Sequence, residues 1–217
     1  MGLSHFKDER VLLIQYLFAR YSELHLTKAT DRPVAITGLQ GRLGRTFKSG
    51  IYYGIMWKYF ERTMLWKRTG RALSRIKYEG GSAKKPPSWS WMAFSGTIGY
   101  LEIPFGNVSW TGDLEKSEVH GELTVRAIAR RITLDESYLS CCVTLDTDIM
   151  SEFGDGCWRC VTVGRDKTPN DFGDLPHYVL VIQPVADPER DATYERIGVG
   201  VFYASDFSDE VERVSII

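Results

Sequence analysis

Residues 122–132 read ELTVRAIARRI, and their alternation decides the fold class of the chain. One face carries Leu123, Val125, Ala127, Ala129 and Arg131, and the other carries Thr124, Arg126, Ile128 and Arg130. A period of two is typical of a strand with one face in a core and the other in water. The segment therefore predicts a strand of an antiparallel sheet with one solvated face.

Further runs rich in β-branched and aromatic residues follow Pro86 and Pro87, separated by clusters of Gly, Asp and Asn. They are residues 90–94, 98–103, 138–145, 158–164, 177–183 and 194–203. Together with residues 122–132 they predict that residues 86–217 form an antiparallel sheet that curls into a sandwich or an open barrel.

The N-terminal portion, residues 1–85, has a helical pattern instead. Val11, Ile14 and Phe18 recur at three- and four-residue spacings, which predicts an amphipathic helix over residues 7–24. A second helix is expected to begin near Asp31 and to continue to Phe47. A basic stretch, residues 67–85, is interpreted as an exposed loop. The predicted fold is α+β, with the N-terminal helices packed on the sheet in one compact domain.

Composition excludes several classes of protein. The 217 residues include 27 basic and 28 acidic side chains, a net charge of -1 that argues against nucleic-acid binding. The apolar run at residues 11–19 is too short to span a bilayer, so no membrane association is expected. With 4 cysteines and no secretory signal, a reducing cytoplasm is the expected location.

The aromatic content of 12% is unusually high and concentrates in two places. Tyr53, Trp57 and Trp66 belong to a band over residues 52–66, and Trp89 and Trp91 occupy alternate positions of a predicted strand. Alternate positions place both indoles on one face of a sheet. The interpretation we favour is core packing, and the alternative is a substrate pocket walled by these five side chains.

Candidates for acid–base chemistry are few. His25, Asp31 and Arg32 lie close together in the sequence, where a histidine and a carboxylate could move a proton. The alternative, which we favour, is that Asp31 caps the second helix and Arg32 forms a structural ion pair. A zinc site at the four cysteines is disfavoured, because the adjacent Cys141 and Cys142 would point to opposite faces of a predicted strand. A redox pair at Cys157 and Cys160 is disfavoured as well, because no βαβ pattern surrounds it. Motifs for ATP, NAD and catalytic metals are absent from the sequence, so no cofactor is predicted.

Three segments carry a resemblance to a known family. Residues 21–39 contain YS, LT and DRPVAITGL, residues 53–66 contain YGI and TMLW, and residues 87–93 read PSWSWMA. They resemble, in order, the region that follows the heterokaryon-incompatibility (HET) domain of large fungal HET proteins, and YERIGVG at residues 194–200 looks like that region's last strand. The signature motifs of the HET domain itself are not found. The chain is therefore a freestanding paralogue, a pathway component with a borrowed fold, or a truncated product.

Two functions follow as hypotheses. The resemblance implies a non-catalytic HET-associated module that binds a protein partner in incompatibility or stress signalling. The aromatic band instead suggests a cofactor-independent cyclase or isomerase of fungal secondary metabolism, binding a small hydrophobic molecule. The sequence leaves the oligomeric state open.

Overall fold

The computed structural model describes residues 2–24, 26–78, 85–119, 122–148, 157–185 and 192–217. The chain divides into two compact units, Met1–Glu102 and Ile103–Ile217. Helices dominate the beginning of the first unit and a large sheet occupies the second, so the predicted α+β class is confirmed.

Both predicted N-terminal helices are present. The helices of the first unit are α1 (Gly2–Ser22), α2 (Arg32–Ala35), α3 (Thr37–Phe47) and α4 (Phe60–Met64). The inner face of α1 is formed by Val11, Ile14 and Phe18, all buried, as the spacing predicted. The second predicted helix is interrupted at Ile36, where α2 ends and α3 begins.

Short strands complete the first unit. They are β1 (Ile51–Tyr52), β2 (Ile55–Met56), β3 (Trp66–Arg68), β4 (Ser74–Arg75), β5 (Phe94–Ser95) and β6 (Ile98–Tyr100). The antiparallel pairs are β1 with β2, β3 with β6, and β4 with β5. The interpretation of residues 67–85 as an exposed loop is wrong for their first part, because β3 and β4 lie there and Leu73 and Ile76 are buried.

The described residues of the second unit contain an eight-stranded sheet and one α-helix, α5 (Glu136–Cys142). The strands are β7 (Val108–Trp110), β8 (Leu114–Val119), β9 (Glu122–Ile132), β10 (Val143–Leu145), β11 (Arg159–Asp166), β12 (His177–Pro184), β13 (Thr193–Phe202) and β14 (Phe207–Ile216).

The strand order is β7-β11-β12-β13-β14-β9-β8, with β10 on β13, and β11 also pairs with β9. Five strands therefore close a ring of pairings, and the sheet curls as expected. The pairing of β13 with β14 is parallel, at Thr193 with Ser215 and Tyr194 with Ile216, so the sheet is mixed and not purely antiparallel.

The alternation of residues 122–132 is reproduced in β9 from Leu123 to Ala129, but Arg131, which was expected on the inner face, is exposed. Leu123, Val125, Ala127 and Ala129 are buried, whereas Thr124 and Arg126 on the other face are exposed. The inner core of this unit includes Trp158, Cys160, Val179, Val181, Ile197 and Phe202. Apolar burial along one strand face thus stabilises the sheet.

One predicted strand is a helix instead. Residues 138–145 were expected to be extended, but α5 occupies the first part and β10 the last. The Asp135 carboxylate caps α5 by accepting a hydrogen bond from the Tyr138 backbone nitrogen at 2.9 Å. Because Cys141 and Cys142 lie on this helix, the strand geometry used against a cysteine site does not apply to them.

Candidate functional site

Trp91 is the centre of the aromatic cluster in the first unit. Its side chain is fully buried, with the ring of Phe18 at 5.8 Å and that of Tyr21 at 6.1 Å between centroids. Both partners come from α1. Such tilted and edge-on ring pairs stabilise a core beyond their buried area.

The β1–β2 turn also packs against the Trp91 indole. Its central residues, Tyr53 and Gly54, both have positive φ, at 48° and 80°. This conformation matches the right-handed twist of a two-residue hairpin. A Cβ on Gly54 would lie 2.3 Å from Nε1 of Trp91, so only glycine allows the turn to approach the indole this closely.

Ser90 joins the turn to the Trp91 segment. Its hydroxyl donates to the Tyr53 carbonyl at 2.7 Å and accepts from the Met92 backbone nitrogen at 3.0 Å. The second bond caps a 3-10 helix over Trp91–Ala93. The prediction that Trp89 and Trp91 alternate on a strand is therefore wrong, because a turn and this helix occupy the segment.

Arg32 is buried against the same indole. It is 4% exposed, its guanidinium carbon lies 5.7 Å from the Trp91 ring centroid, and Nη2 donates to the Ser22 carbonyl at 3.2 Å. Nη1 has no hydrogen-bond partner among the described residues. Burial lowers the pKa of Arg32, while Tyr21 and Tyr78 act in the opposite direction. The contact is a cation–π interaction in a desolvated place.

Tyr78 completes this environment. Its hydroxyl donates to the Met92 carbonyl at 3.3 Å. Burial raises the pKa of Tyr78 to about 12, against the opposing effect of Arg32. At neutral pH the phenol is therefore a hydrogen-bond donor and not a base. No local sequence signal identified Tyr78, since its contacts come from distant parts of the chain.

The remaining tryptophans of the first unit divide into two groups. Trp66 and Trp89 belong to the cluster, since Nε1 of Trp66 donates to the Trp89 carbonyl at 2.9 Å and the Trp89 ring lies 6.3 Å from that of Tyr53. Both are buried. Trp57 is only half-buried, with Tyr52 as its ring neighbour at 6.1 Å.

The three residues predicted for acid–base chemistry do not form one described constellation. His25 lies outside the described residues. Asp31 is exposed at the end of a 3-10 helix and makes no side-chain cap on α2, so the predicted capping role is wrong. Among the described residues Arg32 has no ion pair.

The cysteines are free thiols in different environments. Cys141 is exposed and Cys160 is buried in the core of the second unit. Burial raises the pKa of Cys160 to about 12. Within the part of the chain that the structure describes, no group of three or more His, Cys, Asp or Glu side chains could hold a metal ion.

A different kind of surface lies on the outer face of α1. Leu12, Leu13 and Tyr16 are 51%, 48% and 60% exposed, opposite the buried face of the helix. Glu9 and Arg20 extend the same face towards its two ends, and both are exposed. Arg20 also forms an ion pair with Glu23. An apolar patch between an acid and a base is suited to binding another helix.

Comparisons with known proteins add no relative. Neither a family model, nor a curated protein, nor a solved structure matches the chain. The resemblance to HET proteins therefore stays a prediction. None of the described helices is both long and apolar enough to cross a membrane.

Proposed function

We propose that the chain is a HET-associated protein-binding module that acts in the cytoplasm and binds through the outer face of α1. The observation that carries this proposal is the exposure of Leu12, Leu13 and Tyr16 on a helix whose opposite face buries Val11, Ile14 and Phe18. Large apolar side chains grouped on one helix face are typical of a protein-interaction surface. The cytoplasmic location is supported by the four free cysteines.

The packing of the aromatic cluster favours binding over catalysis. Trp66, Trp89 and Trp91 are no more than 2% exposed. Phe94 lies 5.7 Å from the Trp66 ring, and Phe18 and Tyr21 contact Trp91. Indole faces that are occupied by protein side chains are not available to a substrate. The small-molecule enzyme is therefore the less supported of the two hypotheses.

The arrangement of charges on α1 indicates the partner. Glu9 lies towards the N-terminal end of the exposed face and Arg20 towards the C-terminal end. Two copies of α1 packed antiparallel place each Glu9 beside the Arg20 of the other copy and bring Leu13 against Tyr16. A parallel pair would place like charges together, which is unfavourable. The partner to which we commit is a second copy of this chain.

The expected association is weak. Stable interfaces bury about 1,600 Å² in total. One exposed stripe per helix contributes less than that, so the dimer should dissociate on dilution. An interface of this strength is suited to signalling by regulated association.

Sedimentation velocity over a wide range of protein concentration tests the proposal. We expect the wild-type chain to shift from monomer to dimer as concentration increases, and Leu13→Glu and Tyr16→Glu to remain monomeric. Val34→Glu is the matched control, since Val34 is 75% exposed on α2 and outside the stripe. A chain that is monomeric throughout, or a dimer that tolerates both α1 substitutions, would overturn the proposal.

A charge swap tests the antiparallel arrangement. Glu9→Arg should weaken the dimer, because the introduced guanidinium would then lie beside the Arg20 of the other copy. The double variant E9R/R20E should restore it, since the opposite charges are again adjacent. A double variant whose dimer is no stronger than that of E9R would contradict an antiparallel α1 pair.

A further inference from the structure

A cavity of about 290 Å³ lies on the sheet of the second unit, at strands β8, β9 and β14. Its lining includes Glu115 from β8, Arg126 from β9, and Arg213 and Ser215 from β14. Ala192, just before β13, is also part of the wall, and its carbonyl accepts a hydrogen bond from the Ser215 backbone nitrogen at 2.9 Å. The volume lies just below the range of about 300–1,000 Å³ that is typical of small-molecule sites.

The strand register brings the polar side chains together. Arg126 is directly opposite Glu115 on one side and Ser215 on the other. Residues directly opposite each other in antiparallel strands project to the same face of the sheet. Arg213 is opposite Ile128, which lies two positions after Arg126 on β9. Arg213 therefore lies on the same face as Arg126 and is its diagonal neighbour, with about 7–8 Å between their Cα atoms.

The two arginines of the cavity are exposed and, like the exposed Arg131 and Arg165, lack among the described residues the ion pairs of the more buried Arg130 and Arg196. Arg130 forms an ion pair with Asp113 at 2.6 Å, and Arg196 forms one with Asp146 at 3.0 Å. The side chains of Arg126 and Arg213 make no ion pair or hydrogen bond with any residue that the structure describes. Their guanidinium donors therefore remain available to a ligand at the cavity.

We propose that this cavity binds a small phosphate ester that carries an ammonium group. Guanidinium groups match the geometry of phosphate oxygens, and charge-assisted hydrogen bonds are stronger than neutral ones. Arg126 and Arg213 bind the phosphate, to which the Ser215 hydroxyl donates a further hydrogen bond. Glu115, on the far side of Arg126, accepts from the ammonium group.

Isothermal titration calorimetry of the full chain with phosphoethanolamine, inorganic phosphate and ethanolamine tests this assignment. Phosphoethanolamine should bind most tightly, because it alone contacts both ends of the site. Arg126→Ala and Arg213→Ala should each weaken its binding about tenfold or more, the effect of losing a charged hydrogen bond. Arg131→Ala is the control, since Arg131 is exposed on the same strand but does not line the cavity.

Glu115→Gln should change the affinities of two ligands in opposite directions. Loss of the carboxylate should weaken phosphoethanolamine and strengthen inorganic phosphate, which the carboxylate repels. Arg126→Lys and Arg213→Lys keep the charge but not the fork of donors, so they should bind with intermediate affinity.

Several results would overturn the proposal. One is that phosphoethanolamine does not bind. Another is that Arg126→Ala and Arg131→Ala change its affinity equally, and a third is that Glu115→Gln changes the affinities of phosphoethanolamine and inorganic phosphate in the same direction. Vesicles containing phosphatidylethanolamine form a separate arm. Binding to these vesicles without binding to free phosphoethanolamine would overturn a soluble ligand in favour of a lipid headgroup.

Discussion

Asp146 and Arg196 form an ion pair with two hydrogen bonds inside the second unit. Arg196 donates from Nε to Oδ2 at 3.0 Å and from Nη2 to Oδ1 at 3.2 Å. The two side chains are essentially excluded from solvent. Asp146 directly follows β10 and its backbone nitrogen donates to the Ile197 carbonyl of β13 at 2.8 Å. The pair therefore fixes the end of β10 against β13.

Asp146→Ala should lower the free energy of unfolding by about 3–5 kcal/mol, because the Arg196 guanidinium stays buried without this carboxylate. Asp209→Ala is the matched control, because Asp209 is an exposed residue of β14, and it should change the free energy of unfolding by no more than about 0.5 kcal/mol. Urea unfolding measures both. Equal stabilities of the two variants would show that the ion pair contributes nothing.

Gly54→Ala tests the close approach of the β1–β2 turn to Trp91. Gly70 has nearly the same φ, 81° against 80°, but a Cβ there would meet nothing within 4 Å. Gly70→Ala should therefore carry only the backbone cost of the left-handed conformation, about 1–2 kcal/mol. Gly54→Ala should cost about 1–3 kcal/mol more, because Trp91 must move. Unfolding free energies of the two variants measure the difference directly, and equal losses would contradict a tight Gly54–Trp91 contact.

Local periodicity predicted the parts of the fold that depend on one face of one element. The spacing of Val11, Ile14 and Phe18 identified α1, and the alternation of residues 122–132 identified β9. Both patterns show which residues of one element are buried, and this information is contained in the local order of apolar and polar residues. The parallel pairing of β13 with β14 was not predictable in this way, because strand partners are chosen by contacts distant in sequence.

The errors have local causes that are visible in the structure. Residues 138–145 have β-forming side chains, but Asp135 caps α5 and a helix begins there. The pattern around Trp91 predicts a strand, whereas the Ser90 hydroxyl stabilises a 3-10 helix. In both cases a short polar side chain that bonds to the backbone overrode the β propensity of its neighbours.

The sequence singled out several members of the aromatic cluster but not their arrangement. Arg32, Tyr53, Trp89 and Trp91 were singled out, and the structure brings them together with Gly54. Their separation along the sequence hid the Arg32–Trp91 contact. The cavity beside Arg126 was also missed, although the polar face of residues 122–132 contained the signal for it.

His177 should make the stability of the chain depend on pH. Burial lowers the pKa of His177 from 6.5, with Arg165 and Arg130 acting in the same direction. At pH values near and below 6.5, the ordinary pKa of a histidine, the unfolded chain therefore binds more protons than the folded chain. The free energy of unfolding consequently falls as the pH decreases from 6.5 towards the lowered pKa of His177. Stability should increase from about pH 5 to pH 7 and then level off with respect to this group.

His177→Gln should reduce this increase. Urea midpoints of the wild type and the variant, measured between about pH 5 and 8, isolate the contribution of the histidine from that of the carboxylates. Parallel pH profiles of the two proteins would contradict the assigned direction.

The cysteines should differ sharply in reactivity. The thiolate is the reactive form, and burial raises the pKa of Cys160 to about 12, so this residue is almost entirely protonated at neutral pH. Cys141 is exposed on α5. Iodoacetamide should therefore modify Cys141 in the folded chain and leave Cys160 unmodified until the chain unfolds. Peptide mapping by mass spectrometry distinguishes the two sites.

Two serine variants complete this test. Cys141→Ser should remove the fast phase of modification, and Cys160→Ser should leave it unchanged. Fast modification of Cys160 in the folded chain would instead indicate an accessible, activated thiol next to Cys157, as a redox pair requires. That result would revive the redox interpretation of the Cys157 and Cys160 segment, which the burial of Cys160 argues against.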